Sequence, residues 1–217
     1  MSILQQGQKN WNDPKKKEAR KATIIEVARN LFKWKHIPKN RQYWSLCGEC
    51  GCDSGLKQGT ELDQLLQQKF LTVDQFYGVE LNSDIHKLNT KIVDAHWFNL
   101  DIRDAIDSQM RKKNFNPAII NVDTTNIPHN AVTLLTDIMY SVNVMDIHDI
   151  IIVFNVVIKT HGKQIDAFDI IKEMENNSRF ASKYTEGNWQ FPIKEFYVYS
   201  GTGGSCTDMC SMILMRN

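Results

Sequence analysis

One stretch, Tyr43 to Gly55 (YWSLCGECGCDSG), constrains this chain more than any other. Tyr43, Trp44, Ser45, Leu46 and Cys47 carry no charge and predict a strand. The next eight residues, Gly48 to Gly55, hold three glycines. Glycine tolerates positive φ and lets a ligand or another backbone come close. A helical pattern follows from Glu61 to Phe70, with Thr60 as its cap and Leu62, Leu65, Leu66 and Phe70 as its apolar stripe. Strand, glycine-rich loop and helix open a nucleotide-binding α/β sheet, whose ligand sits at the carboxyl ends of the strands. The same residues also suit a plain glycine turn between two elements.

A second feature narrows the choice. Phe76-Tyr77-Gly78-Val79-Glu80 predicts a short strand ending in an acid, 25 residues after Gly55. In nucleotide-binding sheets an acid at the end of the second strand accepts hydrogen bonds from ribose hydroxyls. The loop reads E-x-G-x-D-x-G from Glu49 to Gly55, which departs from the G-x-G-x-x-G of dinucleotide enzymes. It resembles motif I of the class I S-adenosylmethionine-dependent methyltransferases, D/E-x-G-x-G-x-G, with Asp53 in place of the middle glycine.

The rest of the chain alternates strands and helices. Asp13-Pro14 predicts the start of a basic N-terminal helix that ends before Pro38, with Ala22, Ile25, Ala28, Leu31 and Phe32 as its apolar stripe. Asn82-Ser83-Asp84 opens a short helix. Ala95 to Ile102 reads as a third strand and Asp104 to Lys113 as a helix. Pro117 to Asp123 reads as a buried parallel strand, and Pro128 opens a helix burying Val132, Leu135, Met139 and Val142. Asp149 to Ile158 is the most apolar strand and belongs near the centre. A helix over 165–175, with Phe168, Ile171 and Met174 inward, is followed by strands over 195–200 and 209–215, joined as an antiparallel hairpin by Gly201 to Gly204.

The predicted fold is α/β: a mostly parallel, Rossmann-like sheet with helices on both faces and a C-terminal antiparallel hairpin, preceded by a basic helical extension. The extension spans residues 1–40 and the sheet domain 41–217. This order of elements is similar to that of the class I methyltransferases over residues 41–217. The resemblance implies S-adenosylmethionine as cofactor. It implies that Glu49, Gly51, Asp53 and Gly55 form the loop around the methionine part, that Glu80 holds the ribose, and that Asp101 and Ile102 flank the adenine. It puts the methyl acceptor just beyond the fourth strand, at Asp123-Thr124-Thr125-Asn126, with Asp123 and Asn126 as candidate catalytic residues. Asp123 suits a base, a polar anchor or a helix cap. The D/N-P-P-Y/F/W of amino-group DNA methyltransferases is absent there.

Charge adds a candidate partner. Residues 1–45 carry eleven Lys and Arg against three Asp and Glu, a surplus of +8, which leaves −7 for the remainder of a chain with net charge +1. Lys15, Lys16, Lys17, Arg20 and Lys21 form the densest cluster and suit contacts with RNA or DNA phosphates, or a solvated helix face. No apolar run is long enough to span a membrane and no secretory signal pattern opens the chain, so the expected setting is intracellular, in the cytoplasm. Cys47, Cys50 and Cys52 stand near one another, and Cys206 and Cys210 form a second group. In the family's sheet the first and last strands lie three strand spacings apart, roughly 14 Å, so the two groups are not expected to share a metal. A nucleotide-binding oxidoreductase and a non-catalytic binding protein of the same fold remain the alternatives to a methyltransferase.

Overall fold

The computed structural model describes residues 21–124, 128–160, 163–164, 167–192, 197–200 and 208–217. The start expected at Pro14 for the first helix, the turn at Gly201 to Gly204, and Cys206 lie outside them. A π-helical stretch, Lys21–Glu26, continues as α1 (Val27–Phe32) and stops at Lys33, which takes a left-handed conformation. The remaining elements alternate. β1 (Gln42–Ser45), a small hairpin of β2 (Gly51–Cys52) and β3 (Gly55–Leu56), α2 (Glu61–Gln67), β4 (Phe76–Val79) and α3 (Ser83–Asn89) form the first half. Then come β5 (His96–Phe98), α4 (Ile102–Arg111), β6 (Pro117–Thr124), α5 (Pro128–Val144), β7 (Ile150–Thr160), β8 (Lys163–Gln164), α6 (Ala167–Asn176), α7 (Ser178–Glu186), β9 (Tyr197–Ser200) and β10 (Asp208–Arg216).

The main sheet runs β5-β4-β1-β6-β7-β10-β9, with β8 paired to β7. Every neighbouring pair from β5 to β7 is parallel. β10 is inserted antiparallel between β7 and β9, so the expected terminal hairpin joins the sheet through its second strand. β6 and β7 are nearly continuous apolar runs because both of their faces are covered. One face packs Trp44, Ile120, Ile152 and Phe154 against α4, α5, α6 and α7. The other packs Tyr43, Ile119, Ile151 and Val153 against α1 and α2.

Several expected boundaries shift, each for a local reason. The third strand, expected from Ala95 to Ile102, shrinks to His96–Phe98. Beyond it, the Asn99 side chain donates to the carbonyls of Glu80 and Leu81, and Asp101 caps α4 by accepting from the Arg103 amide. Side-chain bonds to nearby backbone compete with the ladder at such strand ends. Thr60 caps α2 as expected, accepting from the Asp63 amide. On α6 the inward residues are Ile170 and Met174, with Ile171 only half-buried. The expected Phe168 contact lies outside the described side chains. α7 was not expected at all; Asn177 starts it by accepting from the Phe180 amide. The four residues expected to be buried on α5 (Val132, Leu135, Met139 and Val142) are all in the core. Among the described residues, no helix is long and apolar enough to cross a membrane.

Candidate functional site

The carboxyl ends of β1, β4, β5 and β6 lie side by side, because these four strands are parallel neighbours. Residues just beyond these ends are the ones a ligand of such a sheet would meet. They are Leu46 to Glu49, Glu80 to Asn82, Asn99 to Ile102, and Asp123 near the end of β6.

Glu80 follows the last residue of β4, and its amide donates to the Phe98 carbonyl of β5. Its carboxylate is half-buried and accepts the Asn82 amide at 2.7 Å. Burial pushes the Glu80 pKa above the usual carboxylate range, opposed by the Asn82 amide and by the charge of His86. A carboxylate has room for several donors, so the Asn82 and Leu81 amides do not saturate it. Two large apolar side chains at these strand ends are exposed, Leu81 at 67% and Leu100 at 41%. Asn99 ties the two strand ends together through the Glu80 and Leu81 carbonyls. A half-buried carboxylate at strand ends that also carry exposed leucines suits a sugar carrying a flat apolar ring.

The glycine-rich stretch is built differently from a simple ligand loop. β1 ends at Ser45, and the chain then folds into the β2–β3 hairpin, with Asp53 and Ser54 at its exposed tip. Gly55 takes a positive φ of 105° in that hairpin. Glu49 is buried four residues past the strand end and forms an ion pair with Lys57. Asn89, at the end of α3 and fully buried, holds the loop from behind. Its Oδ1 accepts from the amides of Cys50 at 2.8 Å and Gly51 at 2.9 Å, and its Nδ2 donates to the Gly48 carbonyl at 2.8 Å. A Cβ on Gly51 would lie 2.0 Å from the Leu88 carbonyl oxygen. Gly51 is therefore required by the close approach of α3, and two loop amides are committed to Asn89.

The expected adenine-side residues are also engaged within the protein. Asp101 accepts from Arg103 Nε at 2.8 Å and from its amide at 2.9 Å, and the bond from the Arg103 side chain leads in holding its pKa below the ordinary value. The Ile102 side chain is in the core. Asp123 is half-buried and faces Asn155 across the β6–β7 pair. Asn126 and the cluster Lys15, Lys16, Lys17 and Arg20 lie outside the described residues; Lys21 is exposed at the start of the first helix. Among the described residues no group of three or more His, Cys, Asp or Glu side chains could hold a metal ion.

Sequence reasoning missed a buried polar chain beneath this edge. Glu61, in the first turn of α2, is 2% exposed. Its Oε1 accepts from Tyr43 Oη at 2.6 Å, Ser45 Oγ at 2.9 Å and Asn121 Nδ2 at 2.9 Å. Asn121 in turn accepts from Asn155 Nδ2 at 2.9 Å, and Asn155 accepts from Ser211. The chain links α2 to β1, β6, β7 and β10. The one sequence signal was a polar residue at a strand position where its neighbours on the same face are apolar.

No family model matches the chain, and no curated protein sequence matches it. Its shape resembles that of a SAM-dependent methyltransferase from Archaeoglobus fulgidus, at 11% identity and a TM-score of 0.49, over 98% of this chain and 99% of that one. It also resembles a TehB-like SAM-dependent methyltransferase from Corynebacterium glutamicum, at 12% identity and a TM-score of 0.42, over 94% and 98% of the two chains. A third likeness is to Trm5b from Pyrococcus abyssi, at 10% identity and a TM-score of 0.45; it covers 89% of this chain but 49% of that one.

The Asn89 contacts make a direct prediction. Gly51→Ala should lower the unfolding free energy by about 2 kcal/mol or more, because backbone must shift to admit the Cβ. Asn89→Ala should cost about 1–3 kcal/mol by leaving two buried amides without an acceptor. Urea unfolding measures both; a Gly51→Ala protein as stable as the wild type would contradict this packing of the loop on α3.

The strand order, with the last strand inserted antiparallel between β7 and β9, gives this chain a mostly parallel, Rossmann-like α/β fold.

Proposed function

We propose that the chain is an S-adenosylmethionine-dependent methyltransferase. The observation that carries this reading is the half-buried carboxylate of Glu80 at the end of the second main-sheet strand, with Leu81 and Leu100 exposed at the neighbouring strand ends. Glu80 would accept from the ribose hydroxyls, and Leu81 and Leu100 would offer apolar surface to the adenine. Bound there, the cofactor supplies a methyl group on a sulfonium for in-line displacement. The protein contributes alignment of the acceptor with that methyl. Asp123 serves as base or polar anchor at the acceptor end, with Asn126 beside it in sequence. The methionine end draws on groups other than the Cys50 and Gly51 amides, which Asn89 holds.

The acceptor in this reading is a nucleic acid, RNA or DNA. The support is the charge surplus of residues 1–45 and the cluster Lys15, Lys16, Lys17, Arg20 and Lys21. Contacts of this kind bind phosphates and position the strand without reading its sequence. A second reading, a binding protein that keeps the fold without transferring a methyl, is favoured by one observation: Glu49, Asp101 and two loop amides are all engaged within the protein.

Isothermal titration tests the cofactor claim. Glu80→Ala should weaken S-adenosylmethionine binding about tenfold or more while the fold persists, the loss expected for a charge-assisted pair of hydrogen bonds. Unchanged affinity in the folded variant would remove Glu80 from the site. Cofactor binding without transfer to any tested acceptor would favour the second reading.

Filter binding over a salt series tests the acceptor. Affinity for RNA or DNA should fall steeply with salt in the wild type as counterions are released. Replacing the five basic residues by Gln should weaken binding across many sequences and flatten that slope. A wild type that retains neither RNA nor DNA would point to a small-molecule or protein acceptor.

A further inference from the structure

β6 and β7 are parallel neighbours, so the helix between them, α5, runs back from the carboxyl edge of the sheet to the amino edge. Its first turn therefore stands at the carboxyl edge. His129 is the second residue of α5, six positions past Asp123. Its side chain is 67% exposed and takes no part in the core. Its Nδ1 lies 2.7 Å from Oε1 of Glu173 on α6, a contact between groups 44 residues apart in the sequence. Glu173 is the less exposed of the two, at 34%.

An exposed pair of this kind contributes little to stability. It does, however, decide the chemistry of the ring. An ionised carboxylate only accepts hydrogen bonds, so Nδ1 must be the donor. A neutral imidazole carries a single N–H, and with that hydrogen on Nδ1 the lone pair is at Nε2. Nδ1 is turned to Glu173, so the exposed part of the ring is the opposite edge, which carries Nε2. The result is an accessible basic nitrogen, held in one tautomer and one orientation, on the element that follows the strand of Asp123.

We infer that His129 is the general base of the transfer and that Glu173 is its positioning residue. This rests on the methyltransferase reading and leaves Asp123 the role of polar anchor. The acceptor atom is then one whose proton must leave, a hydroxyl oxygen or a ring N–H. That heteroatom bonds to the methyl carbon, and the electron pair of the broken carbon–sulfur bond goes to sulfur. The acceptor's proton passes to Nε2. The imidazolium so formed lies beside the Glu173 carboxylate, which stabilises it until the proton is released to water.

Two measurements on the full chain test the inference. The first needs no acceptor: nitrogen-15 spectra of histidine-labelled protein at alkaline pH, with the His129 signals assigned by their loss in His129→Gln. They should show the hydrogen on Nδ1 and a bare Nε2, and Glu173→Ala should change that signature. A hydrogen on Nε2, or a ring indifferent to Glu173→Ala, would overturn the inference. The second follows tritiated methyl from S-adenosylmethionine into pooled RNA, denatured DNA and a set of phenols. His129→Ala should lower transfer about 100-fold, the usual scale for a lost general base. Its affinity for S-adenosylhomocysteine should be unchanged by isothermal titration. Glu173→Ala should lower transfer less. Added imidazole should restore transfer to His129→Ala, which it would not do for a side chain that only packs. Undiminished transfer in His129→Ala, or no recovery with imidazole, would defeat this inference alone. A wild type that does not bind S-adenosylhomocysteine, or that binds it and methylates none of the pools, would defeat the methyltransferase reading and this inference with it.

Discussion

The buried carboxylate of Glu61 is the interaction on which the working end of the sheet depends. It is anchored in the first turn of α2 and gathers Tyr43 and Ser45 of β1 and Asn121 of β6 onto one oxygen. Through Asn121 the chain of bonds continues to Asn155 of β7 and Ser211 of β10. In an apolar setting such bonds are strong only when every member is satisfied. They also forbid slippage. A strand shifted by one residue would turn its polar member to the opposite face, away from its partners. The apolar side chains around them could pack in more than one arrangement; the polar chain selects one. Its Ser45 is the last residue of β1, beside the strand ends at Glu80 and Asp123.

Two consequences follow for the site. The polar chain holds β1, β6, β7 and β10 in a common register from below, while Asn99 ties the ends of β4 and β5 together through the Glu80 and Leu81 carbonyls. The glycine-rich stretch is fixed from behind by Asn89 and by the contact of Gly51 with Leu88. The site is therefore asymmetric. The β4–β5 side presents a carboxylate and two exposed leucines, while on the loop side Glu49 pairs with Lys57 and two amides bond Asn89 of α3.

Much of this architecture was legible in the sequence, because it is local. The alternation of apolar runs and amphipathic stretches marked the strands and helices, and the acid after Phe76-Tyr77-Gly78-Val79 marked Glu80. Thr60 and Asn82 announced helix starts by their chemistry alone. What was illegible depends on distant pairings. Glu61 reads as an ordinary first-turn acid until the fold brings Asn121, 60 residues away, onto it. Asn89 reads as the end of a helix until the loop 38 residues earlier lies against it. The glycines of the loop had two possible causes, close approach of a ligand or close approach of backbone. Only the position of α3 distinguishes them, and at Gly51 it is the backbone. Asp101 shows a related ambiguity: a strand-end acid and a helix cap look alike in sequence, and here Arg103, two residues on, completes the cap.

The central claim is that the carboxyl edge formed by β1, β4, β5 and β6 is a nucleoside-binding edge. Amide hydrogen exchange with and without saturating S-adenosylhomocysteine tests it most directly. The account predicts slowed exchange in Leu46 to Gly48, Glu80 to Asn82 and Asn99 to Ile102. It predicts no change at the opposite edge, where the Arg41 guanidinium ties the carbonyls of Pro117, His148 and Asp149 at the strands' amino ends. Protection centred on that opposite edge, or none in these three segments despite measured binding, would contradict it.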